Sequence, residues 1–191
     1  MIYLWYEPRD YPDKAYGYYH YKEAPDRIPF IRGEQVRPPD RPLACSIEGK
    51  LNDLYAYDNV DSQCGFPLAG PRLRKLFDDL CPNDIQYLDT VIYGKDGSTK
   101  NYKGVNITNK VPALDHEHTI CKYASVGDPP PIIWFGHMAL LSNCLGSYDI
   151  ARMKEDKPTI LISERLYQAL KRDNITGVAP ITVHEYNNLF K

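Results

Sequence analysis

The chain has little that would send it to a membrane or to nucleic acid. No apolar run among its 191 residues is long enough to cross a bilayer. The opening Met1-Ile2-Tyr3-Leu4-Trp5-Tyr6-Glu7-Pro8 has neither a basic start nor an extended apolar stretch, so it does not read as a signal peptide. A cytoplasmic protein without a membrane partner is the expectation. Excess charge of either sign is also missing: 23 basic residues face 25 acidic ones, which removes the strongest argument for a nucleic-acid partner. Cysteines are few. Cys45, Cys64, Cys81, Cys121 and Cys144 form no Cys-x-x-Cys pair and are odd in number, so reduced, mostly buried thiols are expected rather than a disulfide framework or a zinc site. Gly-rich phosphate loops and nucleophile elbows are absent as well. His20, His116, His118, His137 and His184 are too dispersed to mark a Ser-His or Cys-His pair, although catalytic groups meet in space rather than in order.

What is present is a repeat. Leu68-Ala69-Gly70-Pro71-Arg72-Leu73 recurs without a gap ninety-three positions later as Leu161-Ile162-Ser163-Glu164-Arg165-Leu166, and Phe77, Ile85 and Leu88 align with Leu170, Val178 and Ile181. In each copy an apolar strand end (66–68; 159–162) runs into a helix. Gly70 as N-cap with Pro71 in the first helical position suits one start, and Ser163 followed by Glu164 suits the other. Leu73, Leu76, Phe77 and Leu80 keep helical spacing, as do Leu166, Ala169 and Leu170. Pro82 ends the first helix and the 174–177 region the second, each before another strand (85–91; 178–183). A strand-helix-strand unit cannot bury its apolar face alone and requires a sheet beneath it. The fold class that follows is α+β, two similar strand-helix-strand halves packed on mainly antiparallel sheet with few short helices. In this reading residues 1–42 are an N-terminal segment packed on the core, 43–127 the first repeat half and 128–191 the second.

Tyrosines and prolines crowd residues 1–42. Prolines at that density forbid long helices, so a first strand over 2–6 and irregular chain wrapped on the core are expected. The same tyrosines also suit an exposed partner surface. Residues 43–47 read as a strand. The acidic, aromatic segment from Asn52 to Asp61 reads as a solvated connection or an interaction surface in which carboxylates meet a basic partner. Its acidity is local, since residues 42–100 hold six basic and nine acidic side chains. Tyr93-Gly94-Lys95-Asp96-Gly97-Ser98-Thr99 marks a hairpin, with a returning strand over 102–107. Asp115, His116, Glu117 and His118 are the one tempting metal or hydrolytic constellation. On a strand the two histidines would share a face, but no third ligand is signposted and a polar turn is the simpler reading. Asp128-Pro129-Pro130-Pro131 is a stiff connector, 132–135 a buried strand, 136–145 either its continuation or a short helix, 148–153 a further strand and 185–191 a closing segment. Arg72 and Arg165 suit either an anion clamp or arginines whose stems cover the core edge.

Phe66-Pro67-Leu68-Ala69-Gly70-Pro71-Arg72-Leu73 with Leu76, then Val111-Pro112-Ala113-Leu114-Asp115, and finally Ile160-Leu161-Ile162-Ser163-Glu164-Arg165-Leu166 with Ile175-Thr176-Gly177-Val178 resemble the bacterial polymorphic-toxin immunity proteins of the myxobacterial type. The resemblance spans about residues 43–185, with the final segment the most distinctive. It implies a protein without catalytic residues or cofactor that binds and neutralises the C-terminal domain of a cognate toxin, protecting the producing cell and its kin. The alternative is a metal-dependent or hydrolytic enzyme centred on Asp115, His116 and His118. Toxin contacts are assigned to Asp53, Tyr55, Tyr57, Asp58 and Asp61, with the expectation that Asp58→Lys slows association more than it changes stability.

Overall fold

The computed structural model describes residues 1–125 and 131–189. In chain order the elements are β1 (Ile2–Leu4), β2 (Tyr18–Tyr19), α1 (Ile28–Ile31), β3 (Leu43–Ser46), α2 (Leu51–Leu54), β4 (Asn59–Val60), β5 (Leu68–Ala69), α3 (Pro71–Leu80), β6 (Ile85–Gly94), β7 (Gly97–Thr99) and β8 (Lys103–Ile107). There follow β9 (Lys110–Val111), β10 (Ile120–Tyr123), β11 (Ile132–His137), β12 (Ile150–Met153), β13 (Ile160–Ser163), α4 (Glu164–Arg172), β14 (Ile181–Thr182) and α5 (Val183–Asn188). The fold is α+β, mostly sheet with few short helices. One sheet has the order β2-β3-β6-β8-β5-β4 with β7 added on β6, the other β14-β1-β13-β12-β9, and β10 and β11 form a separate ribbon.

Both strand-helix-strand units are built the same way. The two strands that flank each helix are parallel and are separated by one antiparallel strand, giving β5-β8-β6 and β13-β1-β14. This is a split β-α-β arrangement. An antiparallel neighbour, β4 or β12, borders each on the matching side. The inserted strand differs in origin: β8 follows its unit in sequence, whereas β1 comes from the opening of the chain and pairs with Leu161, Ile162 and Ser163.

Each sheet is covered on both faces. Helices α3 and α4 share one core with Trp5, Ala69, Val105, Ile107, Ile160 and Ile162. Phe30, Leu43, Phe66 and Leu88 fill the opposite face of the larger sheet, and Leu4, Leu114, Met138 and Leu161 that of the smaller one. Alternation along β13 sends Ile160 and Ile162 to the helices and Leu161 to the far core, which is why this strand reads as an unbroken apolar run.

The helix ends follow from their residues. Gly70 stands at the N-cap of α3 with Pro71 behind it, and the Ser163 hydroxyl accepts from the Leu166 N–H at 3.1 Å to start α4. After α4 the chain turns through Gly177 at φ +77°, where a Cβ would lie 2.0 Å from the Asn59 carbonyl oxygen. Only glycine lets this loop close on β4.

Two arginines then lock the helices together, antiparallel and side by side. Arg72, at the start of α3, donates to the Asp58 carboxylate at 2.9 Å and to the Asp173 carbonyl at the end of α4. Arg165, at the start of α4, donates to the Asp149 carboxylate and, at 3.3 Å, to the Leu80 carbonyl at the end of α3. Asp173 stands ninety-three residues after Leu80, as Arg165 does after Arg72, so the two clamps are equivalent. A cation at a helix C-terminus meets the negative end of its dipole. Burial works against ionisation of Asp149, but Arg165 and the Ser163 hydroxyl outweigh it and hold its carboxyl below the ordinary range.

Some expectations change. The 132–135 run is not a buried strand: Phe135 faces inward, but Trp134 is 47 % exposed in the β10–β11 ribbon. The strand continues to His137 and residues 138–149 are then loop and turns rather than a helix, β14 keeps only 181–182 of 178–183 because 178–180 are irregular and Val183 opens α5, and the closing segment is that helix. Residues 128–130 of the proline connector lie outside the described residues.

Asp58→Ala removes the buried acceptor from Arg72 and Thr176 and is expected to cost about 2 kcal/mol, with Asp58→Asn, which keeps one acceptor oxygen, costing less. Equilibrium urea unfolding measures both, and an unchanged midpoint for Asp58→Ala would contradict the clamp.

Candidate partner-binding surface

The acidic, aromatic segment begins in α2. Asp53 lies in the first turn of that helix, where its carboxylate accepts from the Lys50 N–H at 3.0 Å and pairs with Lys14 at 2.5 Å. Lys14 and the Lys50 N–H together keep its carboxyl below the ordinary range. Tyr55, the C-cap of α2, is 48 % exposed. Tyr57 is half-buried, with its ring 4.7 Å from that of Tyr11, and its carbonyl accepts from the Tyr102 hydroxyl at 2.9 Å. These three side chains stand on one short stretch braced by the opening of the chain.

Asp58 does not share their exposure. It is buried, and its carboxylate accepts from Arg72, from the Thr176 N–H at 3.0 Å and from the Thr176 hydroxyl at 3.1 Å. Neighbouring Asn59 is also buried and donates to the Gly177 carbonyl at 2.9 Å. Both residues therefore join β4 to the loop after α4. Charge reversal at Asp58 would act first on the fold, so the Asp58→Lys variant cannot isolate association.

Asp61 stands apart from the α2 group. It lines a cleft between the two split units, together with Trp5, Tyr6, Glu7, Phe66 and Tyr186. Burial raises its carboxyl above the ordinary range. Glu7 shows the larger effect: burial first, and the Asp61 charge second, push its carboxyl from 4.5 up to about 7. The sequence offered Trp5 only as one of the aromatics of the opening and did not single out Glu7. The available signal was the change in character after β1, where an unbroken apolar strand passes into Trp5-Tyr6-Glu7-Pro8 and an acid follows two aromatics.

Asp115, His116 and His118 lie in a turn rather than on a strand, with both histidines exposed. Asp115 accepts from the Glu117 N–H at 3.1 Å and contacts His118 Nδ1 at 2.8 Å, so its carboxylate is engaged in shaping the turn. Among the described residues no group of three or more His, Cys, Asp or Glu side chains is placed to hold a metal ion. Cys45 and Cys64 are buried free thiols with sulfurs 3.4 Å apart. Among the described residues no helix is long and apolar enough to cross a membrane.

A family model described as an immunity protein family, Imm11, matches residues 17–185. The chain belongs to the Imm11 immunity protein family. No curated protein matches it. The Imm11 match takes in the first split unit whole, the second apart from β1, and also α2 and Asp61, and it begins earlier than the resemblance over 43–185, reaching into the Tyr- and Pro-rich opening. β1 and Glu7 precede it.

The raised Glu7 carboxyl gives a signed pH dependence. Its folded form holds a proton more tightly than the unfolded chain does, so its contribution is most favourable below about pH 4.5 and is lost as pH rises through about 7. The loss is on the order of 3 kcal/mol. Glu7→Gln should flatten that part of the stability profile, read as the difference in urea midpoints between the variant and the native protein at pH 5 and pH 8. Parallel profiles would contradict the assignment.

Proposed function

We propose that this immunity protein binds the C-terminal toxic domain of a cognate polymorphic toxin and neutralises it in the cytoplasm, protecting the producing cell and its kin. The observation that carries the reading is membership of Imm11 over residues 17–185. Neutralisation needs no chemical step from the immunity partner. It needs a preformed surface with a few aromatic anchors and complementary charge. Asp53, Tyr55, Tyr57 and Asp61 supply both on elements braced by Lys14, Tyr11 and Tyr102, and Asp58 supports them from beneath. The matching toxin surface is basic. An enzyme centred on Asp115, His116 and His118 is the weaker reading, because an exposed turn offers neither desolvation nor a third partner for the pair.

The test expresses the toxin domain encoded by the adjacent upstream gene with and without this protein. Restored growth and a co-purifying complex are expected, and the absence of both would overturn the proposal. Asp53→Asn keeps the oxygen that accepts from Lys50 while removing the charge. Combined with Tyr55→Ala it should slow association roughly tenfold at low salt and leave the melting temperature nearly unchanged. An unchanged association rate would move the contact surface elsewhere.

A further inference from the structure

The cleft where the two split units meet holds carboxylates without a cation. Its volume is about 310 Å³, at the small end for ligand sites and suited to a single side chain. Glu7 enters from the chain that leaves β1, and Asp61 from the chain that leaves β4. Among the described residues neither carboxylate has an ion-pair partner. Arg9, two residues after Glu7, is exposed and lies outside the lining. Aromatic rings of Trp5, Tyr6, Phe66 and Tyr186 wall the space.

Trp5 points into the same cleft. It is 7 % exposed, and its indole N–H makes no hydrogen bond of ordinary geometry, leaning only toward the Glu7 carboxylate. The same indole lines the cleft beside Glu7, close enough to favour the ionised carboxylate. A buried donor with a poorly placed acceptor is costly, and so are two like charges brought together out of water. One ligand relieves both: a cation covalently joined to an acceptor.

An arginine or lysine residue of a polypeptide has that composition. Its guanidinium or ammonium head satisfies carboxylates and favours aromatic walls, and its main chain carries a carbonyl. A free polyamine has no such carbonyl. Two carboxylates with no third His, Cys, Asp or Glu do not make a metal cage. We propose that this cleft receives one arginine or lysine side chain of the toxin domain, with its head between Glu7 and Asp61 and a main-chain carbonyl on the Trp5 indole N–H. The identity of the partner rests on the function proposed above; the chemistry of the ligand does not.

Two measurements separate the claims. First, N-acetyl-arginine-N-methylamide is titrated into the full chain while indole N–H resonances are followed, with the capped citrulline analogue as neutral isostere and Trp134→Phe to assign the Trp5 signal. The arginine should move the Trp5 resonance saturably, with citrulline roughly tenfold weaker and the Glu7→Gln/Asp61→Asn variant silent. An unmoved Trp5 resonance, or an equal response to citrulline, overturns the cleft. Second, calorimetry compares the toxin domain's affinity for the native protein, for that double variant and for Glu117→Gln on the distant turn. A loss of roughly a hundredfold confined to the double variant supports the proposal. Equal binding by all three overturns it and leaves the immunity function standing. No binding to the native protein overturns the immunity function, and the arginine titration then decides the cleft by itself.

Discussion

Two arginines, one at the start of each long helix, reach across to the last turn of the other helix, and the rest of the molecule is arranged so that they can. Each guanidinium satisfies a carbonyl that a helix end leaves without an intrahelical partner, and each also neutralises an aspartate drawn into the protein. The geometry holds only if α3 and α4 lie antiparallel at a fixed separation. That separation in turn fixes how the two sheets beneath them meet. Apolar burial supplies most of the favourable free energy, but burial alone would tolerate a sliding of one helix on the other. The paired clamps do not.

The clamps also explain why one acid of the acidic, aromatic segment turns inward. Asp58 closes the Arg72 clamp and receives both donors of Thr176, which ties β4 to the loop after α4. Asp61, three residues on, is thereby set at the mouth of the cleft between the units, facing a chain that left β1 on the other side. Scaffold and candidate site thus share a short segment, with alternate acids serving different ends. The cleft lies where the equivalent elements meet, and a duplicated fold naturally leaves a seam there that neither copy alone could form.

Much of the scaffold was legible because its causes are local. Helix spacing, the Gly70-Pro71 and Ser163 starts, the Asp96-Gly97 hairpin and the apolar β13 depend on neighbours within a few residues. Strand order was not legible, since β1 pairs with residues about one hundred and sixty positions away and nothing local in Ile2-Tyr3-Leu4 names that partner. The burial of Asp58 failed for the same reason, its partner Thr176 being 118 residues distant. β11 was misread because Ile-Ile-Trp-Phe has the composition of a buried strand, whereas among the described residues it pairs with β10 alone and leaves Trp134 on the outside. Of the site, the segment bearing Asp53, Tyr55 and Tyr57 could be picked out by composition. The Glu7–Asp61 cleft could not, because it exists only once β1 is inserted between β13 and β14.

On the function proposed above, the repeated helices are scaffold and recognition takes place on the segments they position. Hydrogen-exchange mass spectrometry of the protein, free and with the toxin domain bound, tests it most directly. Protection is expected to rise in peptides covering residues 4–11 and 53–67 and to stay unchanged on the outer faces of α3 and α4. Protection centred on the two helices, with the cleft and the α2 segment exchanging as in the free protein, would contradict it.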